Sequence, residues 1–306
     1  MDIGVVLPTA PAGANLVDDV VALAREAADS GLRSAWFAQL FNYDAIALAA
    51  VVGREVPDLA VGTSVVPVYG RHPLTVAAAA QTAQAATHGR FTLGLGLGAK
   101  AFVEPVYGVS HERPARHLRE FLTALGEVLT TGNTDFAGET LTARTPLPAS
   151  LPGASPTPVL VAAMAPRALR VAAELADGIL PYLAGPRALG EHIVPALHQA
   201  DRRHRVVAAV PVVVTDDVAA ARAAAAEQFA FYNTIPSYQR VIGLSGVDEA
   251  ADLVVIGDED AVAAELRRYL DAGATELVAT QTDLLGERDR LRTWTLLGEL
   301  AKEVSE

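Results

Sequence analysis

The stretch VGTSVVPVYGRHPLTVAAAAQTAQAATHGRFTLGLGLG, running from Val61 to Gly98, decides how the rest of the chain is read. Its first apolar run ends in Gly62-Thr63-Ser64-Val65-Val66-Pro67, a strand that closes on small and turn-forming residues. Arg71-His72-Pro73 then opens a helix, because proline in a first turn removes an N–H that has no intrahelical partner. The alanine-rich segment up to Thr87 carries that helix on propensity. His88-Gly89-Arg90 turns the chain into a second apolar run, Phe91–Leu95, which ends in Gly96-Leu97-Gly98. Both strands are near-continuous apolar runs, as buried parallel strands are. The stretch is therefore a βαβ unit.

Working outward, the same rhythm recurs. Strands are predicted at Ile3–Leu7, Ser34–Ala38, Ala60–Val66, Phe91–Leu95, Val159–Ala162, Gly178–Tyr182, Val206–Val214 and Glu276–Thr280. Helical patterns stand between them, at Leu16–Ser30, Asp44–Arg54, Leu74–Thr87, Arg167–Leu175, Arg187–His198, Val218–Phe229 and Asp260–Ala272, with Glu287–Val304 closing the chain. The interval 99–158 breaks the rhythm: a long excursion to Pro114, a helix to Thr131, a short hairpin over Asp135–Thr142 around Gly138, and a proline-rich loop. Asn233–Glu249 reads as irregular. Eight strands with helical crossovers imply an α/β chain, a (β/α)8 TIM barrel over residues 1–306 as one domain, with an insertion at about 99–158.

Composition narrows the function. Hydrophobic residues make up 51% of the 306, enough for a large core, and 20% are charged, so extended disorder is not expected. No apolar run approaches the roughly 20 residues that span a bilayer. The strand at Ile3 has no basic flank before it, so no signal peptide is read and a soluble cytoplasmic protein is expected. Zero cysteines exclude disulfides, thiolate metal sites and cysteine nucleophiles, and no metal site is read elsewhere. A net charge of −12 argues against general nucleic-acid binding while leaving room for a locally held anion.

In a barrel the chemistry sits at the C-terminal ends of the strands. Those positions are poor in carboxylates and rich in aromatics, small residues and backbone amides, which suits a flat cofactor and hydride transfer better than hydrolysis. Two of them speak without further help. Pro166 opens a helix after the fifth strand, and the free amides of such a start make an anion site beside Ala163, Met164, Ala165 and Arg167. Arg167 either adds charge there or is an ordinary solvated residue. The Gly94-Leu95-Gly96-Leu97-Gly98 run is no dinucleotide fingerprint, since no helix starts at the right place and no acidic residue ends a following strand.

With the Gly-Thr-Ser-Val bulge, the Arg71-His72-Pro73 helix start, the glycine run, Ala176-Asp177-Gly178 and Val255-Ile256-Gly257-Asp258, the chain resembles the bacterial luciferase-like family of flavin and deazaflavin oxidoreductases over nearly its whole length. The resemblance implies a non-prolyl cis peptide at Ser64–Val65, with Thr63, Ser64 and Val65 behind the cofactor ring. Leu97 and Gly98 would give backbone amides to the cofactor's side chain, and the loop at Ala163, Met164, Ala165 and Arg167 would hold its phosphate. The family usually has two glycines where this chain has Met164 and Ala165. Many deazaflavin relatives carry Asp-His where this chain has Ala38-Gln39, with Tyr43 at the aromatic position. Sugar-phosphate dehydrogenases of the family carry a glutamate at the position of Ala99.

The acid/base set for alcohol oxidation is thus missing. Gln39 and Tyr43 are left as the residues to orient substrate, with Tyr69, His72, Lys100, Tyr107 and His111 as further proton donors, each also readable as structural. The implied activity is hydride exchange between the deazaflavin C5 of coenzyme F420 and a small organic substrate, as F420H2-dependent reduction of C=C or C=N. The alternatives are a flavin mononucleotide (FMN) monooxygenase and a non-catalytic cofactor-binding barrel. A homodimer is expected from the family.

Overall fold

Capping residues and glycines set most element boundaries of the computed structural model, which describes residues 2–8, 13–197 and 202–303. His198 and Val304, the expected ends of two helices, lie outside the described residues. In chain order the elements begin β1 Ile3–Val6, α1 Leu16–Asp29, β2 Ser34–Phe37, α2 Ala45–Glu55, β3 Ala60–Thr63, β4 Val66–Pro67, α3 Pro73–Ala86 and β5 Phe91–Gly96. Then come α4 Lys100–Tyr107, α5 Pro114–Thr131, β6 Asp135–Ala137, β7 Thr142–Arg144, β8 Val159–Ala162, α6 Pro166–Leu175 and β9 Gly178–Ile179. The chain continues with α7 Pro186–Ala188, a π turn, α8 Val194–Leu197, β10 Arg205–Val214, α9 Val218–Phe229 and α10 Pro236–Ser245. It closes with β11 Val255–Gly257, α11 Glu259–Asp271, β12 Glu276–Thr280 and α12 Glu287–Glu303.

The chain divides into two compact units, Met1–Trp36 with Leu180–Glu306, and Phe37–Ile179. In the first, the strand order is β11-β10-β12-β1-β2, all parallel. The ten-residue β10 serves two neighbours: Val207–Pro211 pairs with β12 and Val212–Val214 with β11. Its near-complete burial explains a Val/Ala run interrupted only by Pro211. Trp294 of α12 is fully buried and still donates from Nε1 to Thr282 Oγ1 at 2.9 Å, so its polar edge is satisfied.

The second unit has the order β3-β5-β8-β9, with β4 also on β5, again all parallel. Helices α2, α3 and α5 pack in sequence on one another through small and aliphatic residues such as Ala49, Ala80 and Leu125. The hairpin β6–β7 is where the sequence places it. Glu120, 6% exposed on α5, grips its turn by accepting from the amides of Glu139 (3.1 Å) and Thr140 (2.7 Å) and from Thr140 Oγ1 (2.6 Å). Burial opposes the ionised form, but these donors outweigh it and hold the carboxyl below its usual range.

Three elements depart from the expectation. Lys100–Tyr107 is helical although Pro105 lies within it, Pro236–Ser245 is a helix inside the stretch read as irregular, and Val255–Gly257 is a strand. The second had readable ends, Pro236 in its first turn and Gly246 in the left-handed conformation at its C-cap. The third has only three residues, too few for periodicity to register.

Candidate cofactor site

Every residue proposed for cofactor or substrate belongs to the second unit. The site starts from a bulge between β3 and β4. Gly62 pairs with Thr92 and Val66 with Leu95, so four residue steps on one side cover three on the other. The peptide Ser64–Val65 within it is cis, as the resemblance implies. Thr63, fully buried, repairs the interrupted ladder: its hydroxyl donates to Gly94 O and accepts from Gly94 N, both at 2.8 Å. Ser64 N donates to Phe37 O at 2.8 Å, pinning the bulge to the end of β2.

This geometry accounts for two glycines of the Gly94–Gly98 run. A Cβ at Gly94 would sit 1.9 Å from Thr63 O, and one at Gly96 would sit 2.5 Å from Val65 Cγ2. Gly98 is different: it has φ +68 and is exposed. So Gly94 and Gly96 seat the bulge, and only the Leu97–Gly98 end of the run faces outward.

Strands β5 and β8 end side by side, Gly96 opposite Ala162, so the loops that follow start as neighbours. Each leads into a helix whose N-cap is an alanine without a side-chain cap, Ala99 before α4 and Ala165 before α6. The first intrahelical acceptors serve Phe102, Val103 and Leu169. The amides of Lys100, Ala101, Arg167 and Ala168 therefore precede any bonded turn. Arg167 is exposed and makes no ion pair among the described residues. Ala163 is buried, and Met164 half-buried. The α4 loop is closed by His111, whose Nε2 lies 3.2 Å from Gly98 O and whose amide donates to Glu104 Oε1 at 3.1 Å.

Gln39 and Tyr43 are placed in one loop, and that loop uses their polar groups. Gln39 Nε2 donates to Leu40 O at 2.5 Å and Tyr43 O at 2.6 Å. Its Oε1 accepts from Ala45 N at 3.0 Å and Arg71 Nη2 at 2.9 Å, which fills its hydrogen-bonding capacity. Tyr43 donates its hydroxyl to Ala38 O at 2.7 Å. Arg71 also bridges to Asp44 Oδ2 at 2.8 Å, while Asp44 Oδ1 caps α2 through Ile46 N and Ala47 N, each 2.9 Å away. Burial works against the Asp44 anion, yet the Ala47 amide and Arg71 hold its carboxyl below the usual range.

The other proton-donor candidates separate. His72 accepts from Leu74 N at Nδ1, so its proton sits on Nε2, which donates to Thr142 O at 2.9 Å. Lys100 pairs with Glu104 at 3.5 Å. The Tyr107 ring lies against Gly70, where a Cβ would come within 2.6 Å of it. Tyr69 is 4% exposed, its ring stacked on His117 at 4.5 Å and tilted against His111 at 4.9 Å, and its buried hydroxyl has no partner among the described residues. Burial pushes that phenol's pKa up. His117, absent from the sequence reading, lies 3.1 Å from Thr140 Oγ1, with its pKa lowered by burial although the Val68 carbonyl accepts from it. No motif marks it, since its partners lie far along the chain. No cluster of three metal-ligating side chains occurs among the described residues.

Comparisons with known proteins bear on the fold and the family. The chain is 25% identical over 306 residues to the 5,10-methylenetetrahydromethanopterin reductase of Methanopyrus kandleri, covering 84% of this chain and 86% of that one. The solved structure of the coenzyme F420-dependent tetrahydromethanopterin reductase from Methanopyrus kandleri superposes with a TM-score of 0.74 at 22% identity, over 97% of both chains. An F420-dependent secondary alcohol dehydrogenase in complex with an F420–acetone adduct gives 0.78 at 16%, over 97% of both. The oxygenating constituent of 3,6-diketocamphane monooxygenase from Pseudomonas putida, in complex with FMN, gives 0.74 at 16%, over 98% of this chain and 97% of that one. These likenesses establish the fold class, the (β/α)8 barrel expected from the sequence. The profile of the luciferase-like monooxygenase family matches residues 1–276, and the chain belongs to that family.

Proposed function

We propose that the protein is a coenzyme F420-dependent oxidoreductase that moves a hydride between the deazaflavin C5 and a small organic substrate, in the direction that reduces a C=C or C=N bond. The observation that carries this reading is the pair of uncapped helix starts, α4 and α6, springing from the adjacent ends of β5 and β8. Four amides with no intrahelical acceptor suit the anionic tail of such a cofactor, and Arg167 adds a cation beside them. The Thr63-Ser64-Val65 bulge gives a shaped backbone wall for a flat ring. The F420-dependent relatives support the choice of cofactor.

The bound deazaflavin supplies a carbon that gives or takes a hydride. The chain's own residues hold and shape. Leu97 and Gly98 present the outward end of the glycine run, with His111 fixing the Gly98 carbonyl. Ala163, Met164 and Ala165 form the turn into α6. Gln39 and Tyr43 act as positioning residues that set the loop after β2, with Arg71 tying it to the loop after β4. The proton that accompanies the hydride comes from solvent or from a tyrosine hydroxyl.

Titration of the purified protein with F420 and, separately, with FMN, followed by cofactor fluorescence, tests the reading. Tight F420 binding that weakens about tenfold in Arg167→Ala, with no FMN binding, is the expected result. FMN binding alone would move the protein to the monooxygenases. Binding of either cofactor without turnover of any enoate or imine would leave a cofactor-binding barrel. A homodimer is part of the proposal, and analytical ultracentrifugation of the same sample reads it.

A further inference from the structure

The first unit contains a cleft of about 400 Å³, walled by the start of α7, by α9, by the 245–256 segment and by α11. That size lies in the range of small-molecule sites. Three arginines line it. Arg187 pairs with Glu191 at 3.2 Å and Arg268 with Glu265 at 2.6 Å. Arg222 has no carboxylate: its Nη1 is steadied by two carbonyls, Val254 O at 3.2 Å and Ala251 O at 3.5 Å, which leaves its other donors unused among the described residues. Of the two acids on the wall, Glu265 is taken by Arg268. Asp252 accepts from the amide of Glu249 at 3.1 Å in a capping box.

A second and independent observation concerns Tyr269. This residue of α11 is 3% exposed, lines the same cleft, and makes no hydrogen bond among the described residues. Its ring is buried, but its hydroxyl is not sealed off as that of Tyr69 is, so the phenol opens on the cleft and is available to a ligand there. Burial, reinforced by Glu265 and opposed by Arg268, pushes its pKa up, so it stays a donor. Leu253, Val255 and Ile256 give the remaining wall an apolar face.

We propose that this cleft is a second ligand site, which takes a small organic anion with its oxyanion head on Arg222 and the Tyr269 hydroxyl and its short body against Leu253 and Val255. The site lies wholly in the first unit, and the candidate cofactor residues lie wholly in the second. An unneutralised guanidinium with a free phenol is a donor set for phosphate or carboxylate oxygens. It can hold an anion despite the −12 overall charge.

Calorimetric titration with butyl phosphate, and with butanol as its neutral counterpart, tests this on the full chain. Saturable binding of butyl phosphate, absent for butanol, is expected. Arg222→Gln should weaken it about tenfold or more and Tyr269→Phe about fivefold, while Arg222→Lys restores part of the affinity. Tyr269→Phe keeps the ring packing, so its effect is readable even if Arg222→Gln disturbs the fold. Equal binding of butanol, or undiminished butyl phosphate binding in a folded Tyr269→Phe variant, would overturn the proposal. Neither outcome bears on F420 binding, which is measured separately.

Discussion

The loops after β2 and β5 are held by opposite means. The first is held by side chains: Gln39, Tyr43, Asp44 and Arg71 close a network of hydrogen bonds, each within 2.5–3.0 Å. The second depends on missing side chains: Gly94 and Gly96 let the β3–β4 bulge approach closely, and a single hydroxyl, that of Thr63, then bonds the Gly94 backbone. The difference shows where a polar residue near a strand end is available for chemistry. Gln39 looks like a substrate contact in the sequence, and in the structure its four hydrogen bonds are internal. The amides of Lys100, Ala101, Arg167 and Ala168 have no such internal use among the described residues.

The comparison breaks most easily at Gly94. Gly94→Ala forces the new Cβ against a backbone oxygen, so a loss of about 3 kcal/mol or more is expected, by analogy with overpacked cores. Gly96→Ala meets only the end of the Val65 side chain and should cost about 1 kcal/mol. Urea denaturation of both variants measures the ratio; equal costs would mean that the bulge is softer than described.

Gln39→Ala removes all four bonds of the side-chain clamp. A loss of about 2 kcal/mol is expected, with cofactor affinity falling in step as the loop loosens. If stability is unchanged while turnover drops a hundredfold, Gln39 touches substrate and the contrast between the loops is wrong.

The smallest effect is the pH dependence of the Asp44 cap. Its folded pKa lies below the ordinary 3.8, so the anion stabilises the fold above that value, and the contribution is lost as pH falls through the folded pKa. The difference in urea midpoint between the wild type and Asp44→Asn should correspond to about 1 kcal/mol at pH 6 and shrink from about pH 4 downward. A difference that stays constant all the way down to acid unfolding would show that the cap works without its charge.

The βα rhythm, the hairpin around Gly138 and the adjacency of loops at the strand ends were legible because each follows from local pattern and from parallel pairing. The resemblance also pointed to the bulge at Ser64–Val65. The role of Gly94 was not legible, because it depends on how near Thr63 O comes from another strand. Nor was the closure around Gln39, since Arg71 lies 32 residues away. His117 escaped for the same reason, its partners being the carbonyl of Val68 and the hydroxyl of Thr140. Helix α10 escaped because its capping signals carried little amphipathic pattern between them.

The surplus residue in the β3–β4 bulge also changes the parity of the strand. Gly62 pairs with Thr92 and Val66 with Leu95, positions three apart that lie on opposite faces of β5, so the two even positions on either side of the bulge face opposite ways. A period-two reading of side-chain direction therefore changes phase at the bulge. The same arithmetic governs insertions and deletions. Shortening the stretch by one residue turns the whole approach to α3 inside out, whereas removing two keeps inside and outside as they are. Gaps tolerated here should come in pairs.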